Sequence, residues 1–131
     1  VLKGAVAGRG GDKRLKILGV TVLTSLTQDS LAESGISMRL EDLVLRRAEF
    51  CVRAGADGVV ASAREALTIR QRFGDDLLIV TPGVRPAGAS ADDQARIVTP
   101  SDAIRSGADH LVVGRPIVNA RDPGAAARAI L

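Results

Sequence analysis

Arg85 and Arg115 each follow a short β-branched apolar run and are each flanked by glycine and proline, in Thr81-Pro82-Gly83-Val84-Arg85-Pro86 and Gly114-Arg115-Pro116. Two further apolar runs end in hydroxyl side chains, at Thr24-Ser25 and at Ser62. Fixed guanidinium charges give charge-assisted hydrogen bonds to anions, and a glycine lets backbone N–H groups come close to a ligand. If the runs are parallel strands, these four ends face one mouth. In barrels the loops after the last two strands often bind phosphate. Ordinary turns with incidental arginines would use the same residue types.

Other reactive residues carry less. His110 falls at the entrance of a strand, the face of a parallel fold associated with stability, so a structural or solvent-facing role is expected. Cys51 lies on an apolar helical face with no histidine near it in sequence and reads as a buried thiol. One cysteine and one histidine exclude a disulfide framework and an ordinary His/Cys zinc site. The stretch Gly8-Arg9-Gly10-Gly11-Asp12-Lys13-Arg14 fits neither the Walker pattern nor the dinucleotide fingerprint and reads as a loop. No Gly-x-Ser-x-Gly elbow is present.

The elements that must position these residues alternate along the chain. Leu15 to Leu23 is nearly continuous in apolar character and reads as a strand buried on both faces. From about Leu40 to Ala54, the residues Leu40, Val44, Ala48 and Cys51 form one helical face, and Gly55 is a natural stop. Asp57 to Ala61 is the next strand, followed by Ser62-Ala63-Arg64-Glu65, a capping box that opens a helix ending near Phe73-Gly74. Leu77 to Val80 is a third strand. A long polar loop from Arg85 to Ile97 leads to Thr99-Pro100, a cap with proline at the first helical position. That helix ends at Gly107, His110 to Gly114 is the fourth strand, and Asp122-Pro123 opens a terminal helix running to Leu131.

The domain reading is therefore an N-terminal helix or loop over residues 1–14 and four βα units over residues 15–131. Such alternation forms parallel sheets with right-handed crossovers. A faint echo, Ala54-Gly55-Ala56-Asp57 against Gly107-Ala108-Asp109, points to a repeated unit. Periodicity alone leaves open a small α/β sheet or half of a barrel. The 131 residues suffice for one core but not for a complete (β/α)₈ barrel, which takes about 250.

Eighteen Lys and Arg against fifteen Asp and Glu give a net charge of +3, with the basic residues interspersed among acids. A nucleic-acid surface and a solvated surface suited to an anionic small molecule are both conceivable. The absence of a basic run, of a nucleic-acid motif, and of Trp and Tyr favours the second, so no nucleic-acid partner is expected. No apolar stretch approaches the roughly 20 residues that cross a bilayer, so no membrane partner and a cytoplasmic setting are expected. The chain opens on Val1 rather than methionine, which leads us to expect missing residues upstream.

Val20-Thr21-Val22-Leu23-Thr24-Ser25, Gly58-Val59-Val60-Ala61-Ser62, Thr81 to Pro86, Asp92-Asp93-Gln94 and Gly114-Arg115-Pro116-Ile117 together resemble bacterial orotidine 5′-phosphate decarboxylases in order and spacing. The resemblance covers roughly Leu15 to Leu131. It implies a (β/α)₈ barrel that converts orotidine 5′-phosphate to UMP and CO₂ in pyrimidine biosynthesis, with no metal or organic cofactor. It further implies that Thr24 contacts the pyrimidine, Arg85 helps bind the nucleotide, and Gln94 bridges phosphate and base. Gly114 through its N–H and Arg115 through its guanidinium would hold the phosphate.

One departure is large. The family's catalytic Asp-x-Lys-x-x-Asp motif is missing, and the only lysines are Lys3, Lys13 and Lys16. The resemblance thus implies the C-terminal half barrel, (βα)₄, with substrate-binding residues and no catalytic ones. As an isolated chain it is expected to be inactive as a lyase, and to occur as a homodimer or with a complementary half barrel. Two other readings stand beside this one: another phosphate-binding barrel enzyme of the sugar-phosphate lyase or epimerase type, and a non-catalytic half-barrel assembly module.

Overall fold

The computed structural model describes residues 1–85 and 98–130. Its elements are α1 (Leu2–Gly8), β1 (Leu18–Val20), α2 (Gln28–Glu33), α3 (Leu40–Arg53), β2 (Gly58–Val60) and α4 (Ala63–Phe73). They continue with β3 (Leu78–Thr81), α5 (Pro100–Arg105), β4 (His110–Leu111), α6 (Arg115–Val118) and α7 (Pro123–Arg128). The four strands form one parallel sheet in the order β1-β2-β3-β4. Sequential order with a helix in each connection is the topology of a barrel segment. The fold is a (βα)₄ half barrel.

The register sets Gly19, Val59 and Ile79 side by side, and Val20, Val60, Val80 and His110 side by side. Alternation sends these two rows to opposite faces. Val59 and Ile79 are fully buried, packed with Val44, Ala48 and Cys51 of α3 and with Ala66 and Ile69 of α4. This row therefore faces the helices. The other row faces what would be the barrel interior, and there Leu18 and Leu78 meet over Gly58. A Cβ on Gly58 would lie 2.6 Å from Leu78 Cβ and 2.8 Å from Leu18 Cδ2. A second, smaller core joins Ala63, Val84, Ala103 and Ala108 under α5 and β4.

The caps behave largely as the sequence predicts. Thr99 Oγ1 accepts the Asp102 N–H at 3.2 Å, Asp122 Oδ1 accepts that of Ala125 at 2.9 Å, and a proline opens both helices. Gly55 and Gly107 follow their helices with φ of 80° and 98°, in the left-handed region that glycine enters without strain. At Ser62 the detail differs: its Oγ accepts from Arg64 N–H rather than from Glu65. The first strand is also shorter than the expected run over residues 15–23, because Leu15 to Ile17 lie before the ladder with β2 begins. The expected fourth strand, over residues 110–114, shortens to His110–Leu111. Two short helices, α2 and α6, were not anticipated.

The expected loop over residues 8–14 is helical at Gly8 and turns after it, and it does more than connect. Arg9 ion-pairs with Asp57, which also accepts the Ile17 N–H at 2.7 Å. The start of β1 is thereby tied to the start of β2.

Candidate functional site

Parallel strands bring their following residues to one end of the sheet. Thr24 comes four residues after β1, Ser62 two after β2, Arg85 four after β3 and Arg115 four after β4. The topology therefore places Thr24, Ser62, Arg85 and Arg115 at the same end. Gln94 lies outside the described residues.

Burial separates these residues. Thr24 is 9% exposed, Ser62 1% and Arg85 5%, whereas Gly114 and Arg115 are exposed. Arg85 is fixed through its backbone, whose N–H donates to the Val98 carbonyl at 3.1 Å, beside the parallel bridge of Val84 to Val98. Its guanidinium donates to the Val84 carbonyl at 3.0 Å, and its Nε has no partner among the described residues. No carboxylate ion-pairs with Arg85 among those residues. A buried charge without a counter-charge is costly, so this cation suits an anion arriving from outside.

Gly114 caps α6 with φ of −104°, and a Cβ built there meets nothing within 4 Å. Neither strain nor crowding by the described residues demands glycine. Space above its backbone is what a closely approaching ligand requires.

Residues outside the expected set support this end of the sheet. Arg47 of α3 donates to the Thr21 carbonyl at 2.6 Å, and the Thr21 hydroxyl donates to the Val60 carbonyl at 2.9 Å. Together they brace the exit of β1 toward Thr24. In the sequence Arg47 reads as one charge among several on a solvated helix face. Its position one residue before the buried Ala48 is the only local signal of its inward reach.

The remaining candidates are not part of this cluster. His110 is exposed at the β4 entrance. Cys51 is buried, and burial pushes its thiol up from its ordinary value. Among the described residues no three His, Cys, Asp or Glu side chains gather as a metal would require, and no helix is long and apolar enough to cross a membrane. A cavity of about 480 Å³ between β4 and the helices around it is lined by neither Arg85 nor Arg115. Its lining of Ile104, Leu111, Ile117 and Ile130 is mainly aliphatic. The strand-end cluster, with a buried cation that meets no carboxylate among the described residues, is the better candidate site.

The fold and the placement of this cluster define the class: one half of a (β/α)₈ barrel with its polar residues at the C-terminal ends of the strands. Residues 1–130 match the orotidine 5′-phosphate decarboxylase / HUMPS family, and the chain belongs to that family. It is 51% identical over 131 residues to the orotidine 5′-phosphate decarboxylase of Nitrobacter winogradskyi, covering 100% of this chain and 54% of that protein. It is 53% identical over 121 residues to that of Geotalea daltonii, covering 92% of this chain and 51% of the relative. Among solved structures, orotidine 5′-phosphate decarboxylase from Lactobacillus acidophilus superposes with a TM-score of 0.78 at 39% identity, over 98% of this chain and 55% of that one. The chain spans about half the length of the curated relatives it matches.

Proposed function

We propose that the chain is the phosphate- and base-binding half of an orotidine 5′-phosphate decarboxylase, a carbon–carbon lyase that forms UMP and CO₂. Thr24 contacts the pyrimidine, Arg85 helps bind the nucleotide and Gln94 bridges base and phosphate. The Gly114 N–H and the Arg115 guanidinium hold the phosphate dianion. The observation that carries this reading is Arg85, 5% exposed at the strand ends and without a carboxylate among the described residues. The open space over Gly114 supports it. Charge-assisted hydrogen bonds of this kind contribute about 1.5–3 kcal/mol each.

The reacting centre is supplied by a complementary half barrel, because no Asp-x-Lys-x-x-Asp occurs in this chain. Binding energy gathered at a remote phosphate then serves the transition state formed elsewhere. Cytoplasmic nucleotide synthesis is the setting that follows. A sugar phosphate bound at the same strand ends, as in other phosphate-binding barrels, is the second reading.

Calorimetric titration with UMP, uridine and ribulose 5-phosphate tests this. UMP is expected to bind best, and Arg115→Ala is expected to weaken UMP by tenfold or more while leaving uridine nearly unchanged. The purified chain is expected to release no CO₂ from orotidine 5′-phosphate. Equal losses for UMP and uridine, or preference for the sugar phosphate, would remove the nucleotide assignment.

A further inference from the structure

Thr24 stands in a turn, because the Leu26 N–H donates to the Leu23 carbonyl at 3.0 Å and closes the chain around Thr24 and Ser25. The turn hangs from β1, whose ladder with β2 ends at the pair of Val20 and Val60. Thr21 comes just past that pair and is pinned there. Its N–H and its hydroxyl both donate to the Val60 carbonyl, at 3.1 and 2.9 Å, and its own carbonyl accepts from the Arg47 guanidinium at 2.6 Å.

A second pin holds the far side of the turn. The Gln28 side chain donates to the Met38 carbonyl at 3.2 Å and accepts the Leu40 N–H at 2.7 Å, where α3 begins. Leu31, 2% exposed, seats α2 in the larger core. Thr24 thus lies between two pins that both run to α3, three residues after Thr21 and four before Gln28.

We infer that Arg47 is a positioning residue for the pyrimidine. By holding the Thr21 carbonyl it sets where Thr24 stands, and it acts on affinity for the base rather than for the phosphate. The inference rests on the reading of Thr24 as the pyrimidine contact. Binding groups serve best when neighbours hold them within about 0.5 Å of their productive place. Arg47 is half-buried beside the fully buried Ala48, and among the described residues it ion-pairs with no carboxylate. Its recorded bond goes to the strand exit. Arg115 follows β4, at the other end of the sheet order from β1, so a disturbance at Thr21 leaves the phosphate contact in place.

Calorimetric titration of the purified chain with UMP and with ribose 5-phosphate, which carries the phosphate without the base, tests this. Arg47→Met keeps an apolar stem and removes the donor. It is expected to weaken UMP about threefold to tenfold, the worth of one hydrogen bond, and to leave ribose 5-phosphate unchanged. Thr24→Ala is expected to do the same. The double variant should be no weaker than Thr24→Ala alone, since Arg47 acts through Thr24. Amide exchange without nucleotide is expected to quicken in Arg47→Met across residues 21–26 and to stay as it is across residues 58–60 and 78–81. Four results overturn the inference alone: UMP affinity that Thr24→Ala weakens and Arg47→Met does not, additive losses in the double variant, an equal loss for ribose 5-phosphate, or faster exchange throughout the sheet. A chain that binds UMP no better than ribose 5-phosphate, or whose UMP affinity survives Thr24→Ala, overturns the base reading and the inference with it.

Discussion

The Asp109 carboxylate accepts the Ile79 N–H at 2.7 Å, while the Asp109 N–H donates to the Ile79 carbonyl at 2.9 Å. One residue thus clamps the start of β3 to the start of β4 through both its backbone and its side chain. Asp57 does the same to Ile17, at 2.7 and 2.8 Å, between β1 and β2. Each carboxylate also meets an arginine from the segment that leads into the neighbouring strand, Arg9 ahead of β1 for Asp57 and Arg70 ahead of β3 for Asp109. The faint sequence echo of Gly-Ala-Asp is therefore a repeated clamp at the strand entrances, opposite the candidate site.

Arg70 is the hub of the second clamp. It donates to the carbonyls of Gly74 and Leu77, both at 2.8 Å, to that of Gly107 at 2.9 Å and to Asp109 at 2.7 Å. Asp109→Ala removes the acceptor of a strand N–H and the nearer of two counter-charges of this largely buried guanidinium, the other being Asp75 at 3.8 Å. The expected loss is about 1–3 kcal/mol in urea unfolding. An unchanged midpoint would show the clamp to be incidental.

Asp57 gives the first clamp a pH dependence. The Ile17 N–H, assisted by the Arg9 and Lys16 charges, holds its carboxyl below the usual carboxylate value despite partial desolvation. A carboxyl lowered on folding binds fewer protons in the folded state, so its stabilisation is present above the unfolded pKa and lost as pH falls through the folded one. The stability gap between the unsubstituted chain and Asp57→Asn should be fully present at neutral pH and shrink below about pH 4. Chemical denaturation at several pH values reads this directly, and a gap that widens in acid would reverse the assignment.

Gly58→Ala should be among the most damaging single-methyl additions. The new Cβ would clash with the Leu78 carbonyl oxygen as well as with the Leu78 and Leu18 side chains. A backbone oxygen in a paired strand cannot step aside. Overpacking of this sort costs typically about 1–3 kcal/mol, and thermal unfolding measures it.

At Gly19 the obstacle is a side chain, so the outcome can be rescued. A Cβ there would clash with Cys51 Sγ but would stand 3.4 Å from Cys51 Cβ. Gly19→Ala alone should destabilise, and Cys51→Ala in the same chain should recover part of the loss. A double-mutant cycle with purely additive effects would contradict this contact.

Much of the architecture was legible because it is locally encoded. The Leu40, Val44, Ala48 and Cys51 face is buried as its spacing predicts, and the Thr99 and Asp122 caps carry their own start signals. The short helices were not legible. α2 has six residues and buries only Leu31, too little for a period to show, and α6 has four residues and buries none. Arg70 looked like a solvated charge because Gly107 and Asp109 lie 37 and 39 residues away in sequence. The grouping of Thr24, Arg85 and Arg115 at one end follows from strand alternation, but the backbone bond that ties Arg85 to Val98 lies in no local pattern.

The two hydrophobic clusters are unequal, and this bears on how order is distributed. The larger is built from leucines, valines and isoleucines around β1 to β3, whereas the smaller, under α5 and β4, is three alanines and one valine. Among the described residues, the quarter that presents Arg115 therefore rests on the smaller of the two clusters and has a lower cost of opening than the β1 to β3 core. An anion gripping that quarter would act as its missing mortar, so part of the ligand's affinity would be consumed in firming the ground on which it stands.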